Sequence, residues 1–165
     1  KSAALTYHKA FPETPISSWV GARFWAWKPS YSLSGQPMRP IRSAHPFLVQ
    51  RPLWCRLDVH FNGIDLRFAF PQEVDHFLHV MEKNPLPSGH RLSPGTRIGR
   101  PMRHWLAKLP ARAKSARFRK MLCDYLHKEK KVQDFRAFYA ARPVSFDFPE
   151  VCDSFQAAHA AAFSS

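Results

Sequence analysis

The amino-acid sequence predicts an α+β fold, in which a small antiparallel sheet built around a 53–70 β-hairpin packs against a helical C-terminal half. Residues 53–70 alternate apolar and polar side chains on either side of Asn62-Gly63, a pair typical of tight hairpin turns. Helical apolar periodicity dominates the second half of the chain. Because strands come early and helices late, the order favours α+β over alternating βαβ units. A length of 165 residues fits a single domain.

The hairpin register follows from the two-residue turn, which places Phe61 opposite Ile64. One face is then wholly apolar and pairs Val59 with Leu66, Leu57 with Phe68, and Cys55 with Phe70. The other face pairs His60 with Asp65 and Asp58 with Arg67, which are oppositely charged or chargeable partners across the ladder. A further short strand is expected at residues 3–8.

Several helices are expected from apolar spacing, Pro and capping residues. A helix start is predicted at Thr14-Pro15, and a helix over 71–83 carries Val74, Phe77, Leu78 and Met81 on one stripe. A Pro/Gly-rich stretch at 84–101 reads as a long loop. Beyond it we expect a short helix at 102–109, a helix after Ser115 with an inward stripe of Phe118, Met121, Leu122, Tyr125 and Leu126, and another helix ending at Pro143. A strand at 144–148 and a C-terminal helix from Pro149 complete the prediction.

The formal net charge of +13 is concentrated in one part of the chain. Residues 1–84, a mainly β scaffold with one helix, carry ten Lys/Arg and six Asp/Glu; residues 85–142, a basic loop with helices, carry fifteen and three. Residues 143–165, the strand and C-terminal helix, carry three acids and no Lys or Arg. Segmental charge of this kind favours a polyanionic partner, and phosphate backbones are the commonest one.

The sequence therefore predicts a non-enzymatic protein that binds DNA or RNA through its phosphates. Residues 85–123 contain no acid at all, and Arg outnumbers Lys in the core of this segment, which suits bidentate phosphate contact. The predicted contact residues are Arg97, Arg100, Arg103, His104, Lys108, Arg112, Lys114, Arg117, Arg119, Lys120, Lys128 and Lys131.

Two other classes of function stay open. The basic face also suits an acidic protein or nucleoprotein complex, as in an inhibitor or interaction module. A metal-independent nuclease using His60, beside Asp65, or His104 is a weaker alternative. Trp25 and Trp27 form either a stacking platform for unpaired bases or part of the core.

No cofactor, metal site or catalytic residue is predicted. The three cysteines, Cys55, Cys123 and Cys152, lie far apart, and Cys55 is expected to fill the core. His76 and His79 lie one turn apart on the expected polar side of their helix, but no third ligand is fixed nearby. No apolar run reaches the ~20 residues of a membrane span, and we expect a cytoplasmic protein.

Overall fold

The computed structural model of the chain describes residues 1–20, 51–92 and 104–144. Three strands, β1 (Ser2–His8), β2 (Trp54–Phe61) and β3 (Ile64–Phe68), form an antiparallel sheet with β2 in the centre. The other regular elements of the described residues are helical. These are α1 (Pro71–Met81), α2 (Gly89–Leu92), α3 (Trp105–Lys108), α4 (Ala116–Lys128) and α5 (Lys130–Ala140), with 3-10 helices at Ser17–Trp19 and Ala111–Lys114. The predicted α+β class is confirmed.

The β2–β3 hairpin has the predicted turn and nearly all of the predicted register. Asn62 and Gly63 both have positive φ, 48° and 74°, as a type I′ turn requires. The observed partners include Phe61 with Ile64, Val59 with Leu66, Leu57 with Phe68, His60 with Asp65, and Asp58 with Arg67. The expected Cys55–Phe70 pair was wrong, because β3 ends at Phe68 and the chain turns into α1. On the other side of the central strand β2, Cys55 pairs with Tyr7 of β1.

The apolar face of the sheet is covered by helices. Helix α5 contacts β1 and β2, while α1 contacts β3, α4 and α5. The predicted stripe of α1 is confirmed, since Val74, Phe77, Leu78 and Met81 are all buried. Helix α4 closes one end of this core, where Phe118 and Tyr125 pack on the ring of Phe61 at centroid distances of 5.5 and 5.2 Å. Met121 departs from its predicted inward stripe and is 37% exposed.

Other predicted elements are shorter than expected or fall outside the described residues. The predicted helix start at Thr14-Pro15 leads only into the 3-10 turn Ser17–Trp19 within the residues described there. The predicted 84–101 loop contains the single helical turn α2 within its described part, and the described residues 104–109 of the predicted 102–109 helix form the single turn α3. The strand at 144–148, apart from buried Val144, the C-terminal helix and the Trp25/Trp27 cluster lie outside the described residues.

Glu73 is a fully buried acid that ties the 3-10 turn to the first turn of α1. Its carboxylate accepts hydrogen bonds from Thr14 Oγ1 at 2.7 Å, Ser17 Oγ at 2.6 Å and the Ala69 N–H at 2.7 Å. Burial raises the pKa of Glu73 to about 7, although these hydrogen bonds act in the opposite direction. The interior thus holds an acid that titrates near neutral pH.

Candidate functional site

Helix α4 positions the central part of the predicted basic site. Ser115 caps its N-terminus by accepting the Phe118 N–H at 3.4 Å, and Leu122 and Leu126 bury the opposite side. Arg117, Lys120 and Lys128 therefore share the exposed side, at spacings of three and eight residues. We call these three residues the α4 basic side.

The α4 basic side is a ridge of positive charge with one acid in it. Arg117 and Lys128 are eleven positions apart, which corresponds to about 16 Å along a helix. Asp124 lies between them and accepts a hydrogen bond from Lys120 Nζ at 3.0 Å, which lowers the pKa of Asp124. Among the described residues, Arg117 and Lys128 have no acidic partner within ion-pair distance.

Other predicted contact residues flank this side. Arg112 is exposed and donates from Nη2 to the Gly63 carbonyl oxygen at 2.7 Å, which joins the hairpin turn to the chain preceding α4. Lys114 is half-buried, and Lys108 is exposed at the end of α3. Lys131, in the first turn of α5, is exposed and lies 3.8 Å from Asp134. The structure thus gathers some predicted residues on α4 and leaves others at its margins.

Two predicted contact residues lie in the interior rather than on the surface. Arg119 is 7% exposed, and its guanidinium donates to the carbonyl oxygens of Met81 and Lys83 at 2.6 Å and of Lys114 at 3.1 Å. It therefore holds the C-terminal end of α1 against α4. The structure thus places Arg119 in the interior, where it supplies a donor to the carbonyl groups that end α1. Its contact with phosphate stays a prediction.

His104 is the second interior residue. It is 1% exposed, and its Nδ1 accepts the Leu106 N–H at 3.2 Å, which caps α3. Burial, with a smaller contribution from His76, lowers the pKa of His104 to about 4. The structure thus places His104 in the interior, where it caps α3. Its contact with phosphate and its role in a nuclease stay predictions.

Arg97, Arg100 and Arg103 lie outside the described residues. Their part in the predicted site therefore stays a prediction. The described surface part of the predicted site consists of the α4 basic side, Lys108, Arg112 and Lys114 before it, and Lys131 after it.

The remaining histidine candidates fall into two environments. His60 Nδ1 lies 2.7 Å from Asp65 Oδ1 on the open face of the sheet, as the register predicted, and both side chains are exposed. His76 was expected on a solvated surface, but its ring lies against those of His104 and Trp105, and burial lowers its pKa. No group of three or more His, Cys, Asp or Glu that could hold a metal occurs in residues 1–20, 51–92 and 104–144.

A second buried arginine was not singled out in the sequence. Arg51 donates to the Phe138 and Arg142 carbonyl oxygens at the end of α5, and it stacks on the rings of Phe138 and Tyr139. Arg51 and Arg119 thus perform the same task at two helix ends. On the helical wheel of α4, Arg119 lies beside Leu122 and Cys123, and this was the one feature of the sequence that indicated its burial. For Arg51 the sequence offered no such feature.

Comparison with known proteins found no matching family model, no matching curated protein and no matching solved structure. Within the described residues, no helix is long and apolar enough to cross a membrane. The function must therefore be argued from the geometry of the site itself.

Proposed function

We propose that this protein binds nucleic acid through phosphate contacts centred on the α4 basic side. The observation that carries the proposal is the exposed row of Arg117, Lys120 and Lys128 on one helix, with Arg112 beside its start. These side chains are held on a capped helix packed on the core, so little conformational freedom of the backbone is lost on binding.

The dimensions and electrostatics of α4 suit a phosphate backbone. The row is about 16 Å long, close to the rise of five base pairs at about 3.4 Å each. The first turn of α4 contains no acid, so the positive end of the helix dipole and Arg117 reinforce one another. Such an arrangement costs folding free energy when no anion is near, and an anionic partner would offset that cost.

The proposal is tested by removing two charges from the α4 basic side. We expect Arg117→Gln/Lys128→Gln to weaken binding of labelled duplexes and single strands, by about eightfold per lost phosphate contact near 0.1 M salt. Fluorescence anisotropy measures the dissociation constants. Arg67→Gln is the matched control for the single variant Arg117→Gln, because Arg67 is exposed on the open face of the sheet and the two variants lose the same charge. Equal weakening by Arg117→Gln and its control, or no binding by the wild type, would contradict the proposal.

An acidic protein partner is the second candidate. It is favoured by Met121, which is 37% exposed one turn from Arg117, since Met and Arg are both enriched at protein interfaces. Met121→Ser distinguishes the candidates. A protein partner that anchors on Met121 loses affinity for this variant, whereas phosphate-backbone binding is unchanged.

A further inference from the structure

We propose that the groove between the end of α1 and the start of α4 binds a phosphate monoester, and that it takes the terminal phosphate of a bound nucleic-acid strand. This second part rests on the proposed function. The groove has a volume of about 330 Å³, and its polar lining consists of Glu82, Asn84, Arg119, Lys120 and Asp124. Ala116, the first residue of α4, also lines it.

Arg119 supplies a fixed, charged donor to the groove. Its side chain is more than nine-tenths buried, and its Nε and Nη1 atoms are held by the carbonyl oxygens of Lys114, Met81 and Lys83. Nη2 has no acceptor among the described residues, yet it is not sealed from solvent. A charged donor held in place by three carbonyl groups binds an anion without first losing rotamer freedom.

One side of α4 forms a wall of the groove. Along this 13-residue helix, every third or fourth residue from the first turn onwards lines it, namely Ala116, Arg119, Lys120, Cys123 and Asp124. Asn84, which carries a side-chain amide, lines the groove as well. Arg119, Lys120 and Asn84 together offer several donors, which favours an oxyanion with several acceptor oxygens.

The two acids of the groove already have side-chain partners. Asp124 is bound by Lys120 at 3.0 Å, and Glu82 by His127 Nε2 at 2.7 Å. The Lys120–Asp124 pair is exposed, and exposed pairs contribute little free energy. An entering phosphate can therefore replace Asp124 as the partner of Lys120 at a small cost in free energy. Asp124 is expected to compete with the phosphate for Lys120.

The shape of the site favours a terminal phosphate over an internal one. Because three carbonyl groups hold Arg119, its guanidinium does not swing out to meet a strand, and the anion must enter the groove. A monoester projects beyond the last sugar and carries a charge of about −2 near neutral pH, whereas an internal diester is flanked on both sides. Lys120 belongs to both the groove and the α4 basic side, so a strand lying on that side would bring its end to the groove.

The test compares oligonucleotides of one sequence that end in a 5′-phosphate, a 3′-phosphate or hydroxyl groups only. We expect a terminal phosphate to tighten binding to the wild type about tenfold, the effect of one charge-assisted hydrogen bond. Lys120→Gln should reduce the ratio of the two affinities, that of the phosphate-ended strand to that of the hydroxyl-ended strand, and Asp124→Asn should increase it. The controls Lys128→Gln and Asp134→Asn make the same charge changes outside the groove, and they should leave the ratio unchanged. Using the ratio removes the general effect of net charge.

Failure of this inference is distinguishable from failure of the proposed function. If hydroxyl-ended and phosphate-ended strands bind equally well, the groove proposal is overturned and the proposed function stands. If no strand binds, the proposed function fails, and a titration with inorganic phosphate followed by ¹H–¹⁵N NMR decides about the groove. Shifts at the Arg119 side chain and the Ala116 and Arg117 amides support a phosphate site there; their absence overturns it.

Discussion

At the scale of single side chains, several charged residues of this protein are buried and stabilise the fold. Arg51 and Arg119 are both 7% exposed and cap the ends of α5 and α1. Both guanidinium groups donate to backbone carbonyl oxygens inside the fold, although the sequence counts these residues with the other basic residues. Glu73 is a fully buried acid held by hydroxyl groups and a backbone N–H. Each of these groups makes a measurable prediction about stability.

Glu73 should make the protein less stable as the pH rises through neutrality. Its pKa is raised from 4.5 to about 7 in the folded state. The folded state therefore retains a proton that the unfolded state has released between these two values. The free energy of unfolding should fall by about 3 kcal/mol across this interval and then level off above pH 7. Urea denaturation at a series of pH values measures the fall.

Glu73→Gln removes this titration and serves as the comparison. Its free energy of unfolding should lack the decline, because the Thr14 and Ser17 hydroxyls can still pair with a neutral amide. The lowered pKa of His104 acts in the opposite direction, because it makes the protein less stable as the pH falls from 6.5 towards about 4. This effect is the same in the wild type and in Glu73→Gln. The difference between the two curves therefore isolates Glu73, and parallel curves would refute its assigned role.

Helix α4, at the scale of secondary-structure elements, serves both the core and the candidate site. Its buried side carries Arg119, which fastens the end of α1, and its exposed side carries Arg117 only two positions earlier. Replacing Arg119 should therefore reduce the stability of the fold, whereas replacing Arg117 should reduce the binding of nucleic acid.

Arg119→Ala should destabilise the fold by about 2–4 kcal/mol, since it leaves buried carbonyl groups without their charged donor. Arg117→Ala should change stability by about 0.5 kcal/mol or less, as is usual for an exposed residue, but should weaken nucleic-acid binding. Thermal or chemical denaturation gives the first pair of values and anisotropy gives the second. Similar losses of stability in both variants would show that Arg119 is not the fastening residue.

The accuracy of sequence-based prediction also differs between elements for physical reasons. The β2–β3 hairpin was predictable, because its register is fixed by a two-residue turn and by the strict alternation of Leu57, Val59 and Phe61. The burial of Arg119 and His104 was not, because it depends on helix ends that come from distant parts of the chain. Local charge patterns identify the basic segment, whereas tertiary packing decides which of its residues reach solvent.

The described part of the whole molecule has an uneven distribution of charge. On the open face of the sheet Arg56 and Arg67 flank Asp58, and His60 pairs with Asp65, so charges there are largely matched. On α4 three cations face solvent with a single acid between them. A polyanion would therefore meet an attractive potential on the α4 side and a nearly neutral one on the open face of the sheet.

The salt dependence of binding tests the central claim, that the α4 basic side contacts phosphates, most directly. Each neutralised phosphate contributes about −0.9 to the slope of log affinity against log salt concentration for a duplex. Arg112, Arg117, Lys120 and Lys128 together predict a slope of about −3 to −4 for the wild type, and one shallower by about 2 for Arg117→Gln/Lys128→Gln. Equal slopes for the two proteins, or an affinity that does not depend on salt, would contradict the account.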